Sequence, residues 1–254
     1  MQHFGVSKSA SCLLEAVGSR SASSDLYLRD AIGQREILDW LLDQGLDING
    51  PTNEILSCAN GTTARDNTVL VLNLAAYYGD IDLFDHLVAR GANPSHSIAL
   101  HYATKSDNAP AMIAHLIDKY QFDVNADYSC GGLNELTVWG DGPSGSPLNY
   151  AVEYNNLPAA EALLKYGAEI GGAPSIAICK EFAPILKLFL DKGTDPTEAL
   201  DTAARRDFIE GCQLCLENGG DISVVEARDR EVIVGSSLRK KLSTEVRMLL
   251  HEWK

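Results

Sequence analysis

The sequence predicts an all-α solenoid built from helical hairpins, and three observations predict it. First, an apolar stretch closing on a glycine returns along the chain: ILDWLLDQGLDIN, LFDHLVARGANPS, AAEALLKYGAEIG, ILKLFLDKGTDPT and CQLCLENGGDIS. Second, shorter stretches rich in small residues stand ahead of such helices, as in LNLAAYYGD, ALHYATKSDN, PLNYAVEYNN, SIAICKEFA and ALDTAARRDF. Third, 254 residues at 45% hydrophobic and 22% charged supply a substantial core, which disordered chains lack. Each long stretch places Leu, Ile, Val or Phe at three- and four-residue spacing, the pattern of a helix with one apolar face. Glycine closes it because a left-handed C-terminal cap is free of a Cβ clash only there.

The elements follow in chain order. Residues 11–17 read as a short helix covering the first repeat, within an N-terminal capping segment 1–24. The repeat array runs over 25–223. Its first unit, 26–49, ends at Gly45 and has a poor first helix, with Arg29 and Asp30 near the alanine positions. Residues 50–69 form an insertion. The second unit ends at Gly91. The third, MIAHLIDKYQFDVN, puts Tyr120 or Gln121 in the glycine's place. A second insertion, 126–145, follows, and the last three units close at Gly167, Gly193 and Gly219. A charged amphipathic helix over 235–253, within a C-terminal segment 224–254, covers the last repeat, because a solenoid exposes apolar surface at its ends unless the terminal units differ.

The unit is therefore helix, turn, helix, loop, and it resembles the ankyrin repeat, whose pattern runs Thr-Pro-Leu-His-x-Ala-Ala, a turn, Val-x-x-Leu-Leu, then Gly-Ala-Asp-x-Asn. The matching stretches are Ser146-Pro147-Leu148-Asn149-Tyr150-Ala151, Ala75-Ala76-Tyr77-Tyr78-Gly79-Asp80 and Gly91-Ala92-Asn93-Pro94. About six repeats carry the likeness, though no copy holds an intact Thr-Pro-Leu-His. The intervals Gly167 to Gly193 and Gly193 to Gly219 are shorter than the family's repeat of about 33 residues, so short turns are expected there. The resemblance implies a concave ligand-facing groove formed by residues just after the paired alanines. In this chain those are Tyr77, Tyr78, Lys105, Ser106, Glu153, Tyr154, Cys179, Lys180, Arg205 and Arg206. Tyr and Arg are enriched at binding hot spots because they bury area and keep a polar handle. The resemblance also implies that both insertions project at that edge, where Tyr128, Trp139 and Asp141 would contact a ligand. His101 stands at the family's repeat histidine, which ties neighbouring loops together.

Function is expected to be a non-enzymatic binding module that presents this Tyr/Lys/Arg groove to a protein partner or an acidic peptide. The alternative is a small-molecule binder or acid/base enzyme whose pocket the insertions cover. No nucleophile elbow, phosphate-binding glycine loop or His-Glu-x-x-His stretch supports catalysis, and no cofactor or metal is expected. With 21 Lys+Arg against 35 Asp+Glu, the net charge is −14, which argues against nucleic acid and anionic lipid as partners. No segment reaches the roughly 20 apolar residues of a membrane span, so a cytoplasmic or nuclear protein with free thiols is expected. Cys212-x-x-Cys215 takes positions that Leu or Val fills elsewhere, and reads as buried structure.

Overall fold

Short amphipathic stretches, capped by turn residues, pair into antiparallel helices. The computed structural model describes residues 35–43, 48–49, 70–127, 145–234 and 241–253. The helix expected at 11–17, the turn at Gly45 and most of both insertions lie outside the described residues. The chain divides into two compact units, Met1–Pro147 and Leu148–Lys254.

In the first unit, α1 (Arg35–Asp43) precedes the pair α2 (Leu70–Tyr78) and α3 (Ile81–Ala89). A 3-10 turn at Pro94–His96 leads to the pair α4 (Ala99–Ala103) and α5 (Ala109–Tyr120). Helix α2 packs on both α3 and α4, and α4 on α5. Ala75, Ala76, Ala99 and Ala103 are fully buried, so the first helices approach closely. Leu83, Phe84 and Leu87 on α3, with Met112, Ile113 and Leu116 on α5, fill the core. Each such side chain contributes about 1.5–3 kcal/mol by leaving water.

Helix α6 (Pro147–Glu153) begins at the last residue of the first unit. The second unit continues with α7 (Leu157–Lys165), α8 (Ala173–Cys179), α9 (Ala183–Asp191), α10 (Pro196–Arg205), α11 (Ile209–Glu217), α12 (Ile222–Val234) and α13 (Thr244–Glu252). Helices α8, α10 and α12 stack in sequence, while α7, α9, α11 and α13 form a second layer. This is the hairpin stack that the alternating small-residue and apolar stretches predict.

The expected glycine caps are present. Gly91, Gly167, Gly193 and Gly219 have φ of +103°, +86°, +94° and +89°. The next amide reaches back to a helix carbonyl in each case, as Ala92 N donates to Leu87 O at 3.0 Å and Thr194 N to Phe189 O at 3.0 Å. After α5 the left-handed residue is Gln121, at φ +58°, which decides between it and Tyr120.

The C-terminal segment differs from the single helix expected over 235–253. It holds two, α12 and α13, and α12 starts at Ile222. Asp221 caps this start, accepting from Ser223 N at 2.8 Å. Within α12 the described buried residues are Val225 and Asp229. Asp229 accepts from Leu242 N at 3.1 Å and from Arg247 at 2.7 Å. Asp229 thereby ties α12 to α13 and to the segment before it.

Candidate functional site

In the first unit the residues after the paired alanines of α2 are Tyr77 and Tyr78, at the helix's C-terminal end. Their rings meet edge to face, with centroids 5.1 Å apart, a favoured geometry because a positive ring edge points at a negative face. Tyr78 is 55% exposed, and Tyr77 is half-buried beneath it. Gly79 then turns the chain at φ +67°. The turn is tight against the next pair: Asn108 Nδ2 donates to Gly79 O at 2.9 Å.

Lys105 follows α4 and is half-buried, its ammonium 5.3 Å from the centroid of the Tyr102 ring. Ser106, which the repeat spacing puts on the same surface, is only 3% exposed. Its Oγ accepts from Asn108 N at 3.0 Å, and its carbonyl accepts from Ala109 N. The turn before α5 uses Ser106 to satisfy backbone groups, so it is a turn residue rather than a surface one.

In the second unit Tyr154 is 39% exposed after α6. Glu153, half-buried beside it, accepts from Lys180 Nζ at 2.9 Å. Cys179 and Lys180 are exposed at the end of α8. Arg205 is turned inward: its side chain is 12% exposed and donates to Asp201 at 2.8 Å. Arg228 of α12 reaches the same carboxylate at 3.3 Å and Glu198 at 2.6 Å. Arg206, the next residue, is exposed. The structure therefore brings together Arg205 with Asp201, an i,i+4 pair on one helix, and Glu153 with Lys180, which spacing alone does not reveal. Tyr128, Trp139 and Asp141 lie outside the described residues.

His101 is buried on α4, and its Nε2 lies 3.1 Å from Ala126 O and 3.2 Å from Gly145 O. Both neighbours are acceptors, so Nε2 carries the proton. Burial pulls the ring down to about 4, against the opposing pull of those two carbonyls. It is a neutral tie between the two ends that flank the second insertion. Cys212 and Cys215 are fully buried on α11, and burial pushes both thiols up to about 12. Such thiols are inert at neutral pH. Among the described residues no three His, Cys, Asp or Glu side chains converge as a metal site. None of the described helices is long and apolar enough to cross a membrane.

The comparison with known families falls on the middle of the chain. A family model for ankyrin repeats, in three copies, matches residues 72–173. These residues are ankyrin repeats. Among solved structures, the crystal structure of the human ASB11 ankyrin repeat domain matches with a TM-score of 0.56 and 19% identity, covering 89% of this chain and 97% of that one. At that identity the likeness concerns the fold. No curated protein sequence matches the chain. Beyond the matched stretch, α8 to α11 repeat the same short helix, turn, helix and glycine cap.

Proposed function

We propose that this chain is a protein-binding ankyrin module and that each unit offers a contact at an exposed tyrosine closing a first helix, Tyr78 in the first unit and Tyr154 in the second. The observation that carries the reading is Tyr78: a large aromatic, more than half exposed and stiffened by its edge contact with Tyr77. A solvated aromatic held in one orientation loses little entropy on binding, which makes it a good anchor. Ankyrin arrays generally serve as interaction modules, and the fold here supports that coarser reading. The finer assignment includes Tyr77, Lys105, Glu153, Lys180 and Arg206 around the anchors. An acidic segment on the partner would meet the exposed Arg206, because Lys180 and Arg205 already face carboxylates of the chain itself.

Panning a random-peptide library on the full chain tests this. Retained peptides are expected to bind about tenfold more weakly to Tyr78→Ala or Tyr154→Ala, matching roughly 1–2 kcal/mol for a moderate anchor. Peptides that bind both variants as tightly as the original would move the contact surface elsewhere, and no retained peptide at all would count against the module reading. The small-molecule or acid/base alternative needs a groove pocket covered by the two insertions, most of which lies outside the described residues.

A further inference from the structure

In the first unit a cavity of about 320 Å³ opens between the 3-10 turn at Pro94–His96 and the segment following Gln121. Its size falls at the small end of ligand pockets, which run from roughly 300 to 1,000 Å³, and suits one side chain better than a cofactor. Ile98, Leu100 and Phe122 give it an apolar wall, while Asp123 and Asp127 stand in its lining as carboxylates. Among the described residues of the lining there is no lysine or arginine. The other two described titratable groups there are uncharged at neutral pH. His101 spends its Nε2 proton on two backbone carbonyls in a buried setting. Tyr120 donates its hydroxyl to Asp85 at 2.7 Å, and burial with that bond pushes it above the usual phenol range.

The cavity thus combines an apolar wall with two negative charges. A hard dication asks for six to eight oxygen ligands and little else, which half of this wall does not offer. A long side chain with an apolar stem and a cationic head matches both halves, the stem lying along apolar surface while the head stays near charge and water.

We infer that this cavity receives the side chain of an arginine or lysine carried by the protein partner. The inference rests on the protein-binding reading and adds a chemical requirement to it. It also fits a chain of net charge −14, whose field draws basic partners.

The test is a nuclear magnetic resonance titration of the full, isotope-labelled chain with Nα-acetyl-arginine amide and Nα-acetyl-lysine amide, with Nα-acetyl-glutamine amide as the neutral control. The basic probes are expected to cause saturable shifts at Ile98, Leu100 and Phe122. Their affinity should fall by about tenfold in Asp123→Asn/Asp127→Asn, the loss typical of removing charge-assisted partners. Asn at 123 retains the oxygen that accepts from Asn125 N at 2.9 Å, so the loop's own bond survives, and an unchanged thermal midpoint would verify it. Absence of saturable shifts, equal response to the glutamine probe, or equal affinity in the double variant overturns the assignment. Panned peptides separate this failure from that of the module reading. Peptides that depend on Tyr78 but share no Arg or Lys, or ignore Asp123→Asn/Asp127→Asn, overturn the cavity assignment alone.

Discussion

Gly79 shows how one residue's freedom positions the candidate surface. The equivalent turns in the second unit carry Asn155, Glu181 and Asp207 at φ of +52°, +59° and +61°, so a side chain is tolerated there at some strain. At Gly79 it is not, because a Cβ would run into Ser106 Oγ and the Asn108 side chain as well as meeting a φ of +67°. Gly79→Ala is therefore expected to cost about 2–3 kcal/mol, from strain plus overlap, read as a lower urea midpoint. A change below about 0.5 kcal/mol, the range of ordinary surface substitutions, would mean that the turn readjusts. The two arginines make the complementary point. Arg205→Glu sets a carboxylate against Asp201 and is expected to destabilise the second unit. Arg206→Glu, on an exposed side chain, is expected to leave thermal unfolding nearly unchanged and to weaken an acidic ligand severalfold. Repeat spacing assigns both to one surface and cannot see this difference, because Asp201 occupies the motif's histidine position and captures its own neighbour four residues on.

Between elements, carboxylates of one second helix grip the next. Asp39 of α1 accepts from His86 Nε2 of α3 at 2.8 Å and from Arg90, the residue that caps α3, at 2.8 Å. Asp85 of α3 accepts in turn from His115 Nε2, Lys119 and Tyr120 of α5, each at 2.7 Å. Partial burial works against the Asp85 charge, yet the bonds from Lys119, Tyr120 and His115 outweigh it and hold the carboxyl at about 2, below its ordinary 3.8. The folded-state value is depressed, so the contribution is fully present above about pH 4 and is lost as pH falls towards 2. Asp85→Asn is expected to lower stability by about 1 kcal/mol at neutral pH, discounted for a side chain one-third exposed. It should also flatten acid unfolding between pH 4 and 2. An unaltered acid limb would remove Asp85 from it. These pairs are illegible in the sequence because their members lie far apart. The same holds for α12, whose ISVVEARDREVIV carries no clean apolar stripe and is secured through Asp221, Arg228 and Asp229. What was legible is local: glycine caps, paired alanines and amphipathic second helices each declare themselves within a few residues.

At the scale of the molecule, recurrence made the fold readable, since one hairpin proves little and several in one order prove an array. The candidate site was less readable: Tyr77 and Tyr78 follow from the repeat register, while the burial of Ser106 and the pairing of Lys180 with Glu153 depend on packing. An array also makes a prediction about how damage spreads. Leu163 on α7 is fully buried, and α7 packs on α9, which packs on α11, which packs on α13. Leu163→Ala is expected to cost about 2–5 kcal/mol through the cavity it leaves. If stability is a sum of repeat and nearest-neighbour contributions, the loss of amide protection should be greatest in α7 and α9 and smallest in α13. Hydrogen exchange of the full chain, compared helix by helix with the unmutated protein, reads this gradient. Equal loss from α7 to α13 would make the second unit one cooperative block, and the contact proposed at Tyr154 would then share its stability with the whole unit rather than with its immediate neighbours.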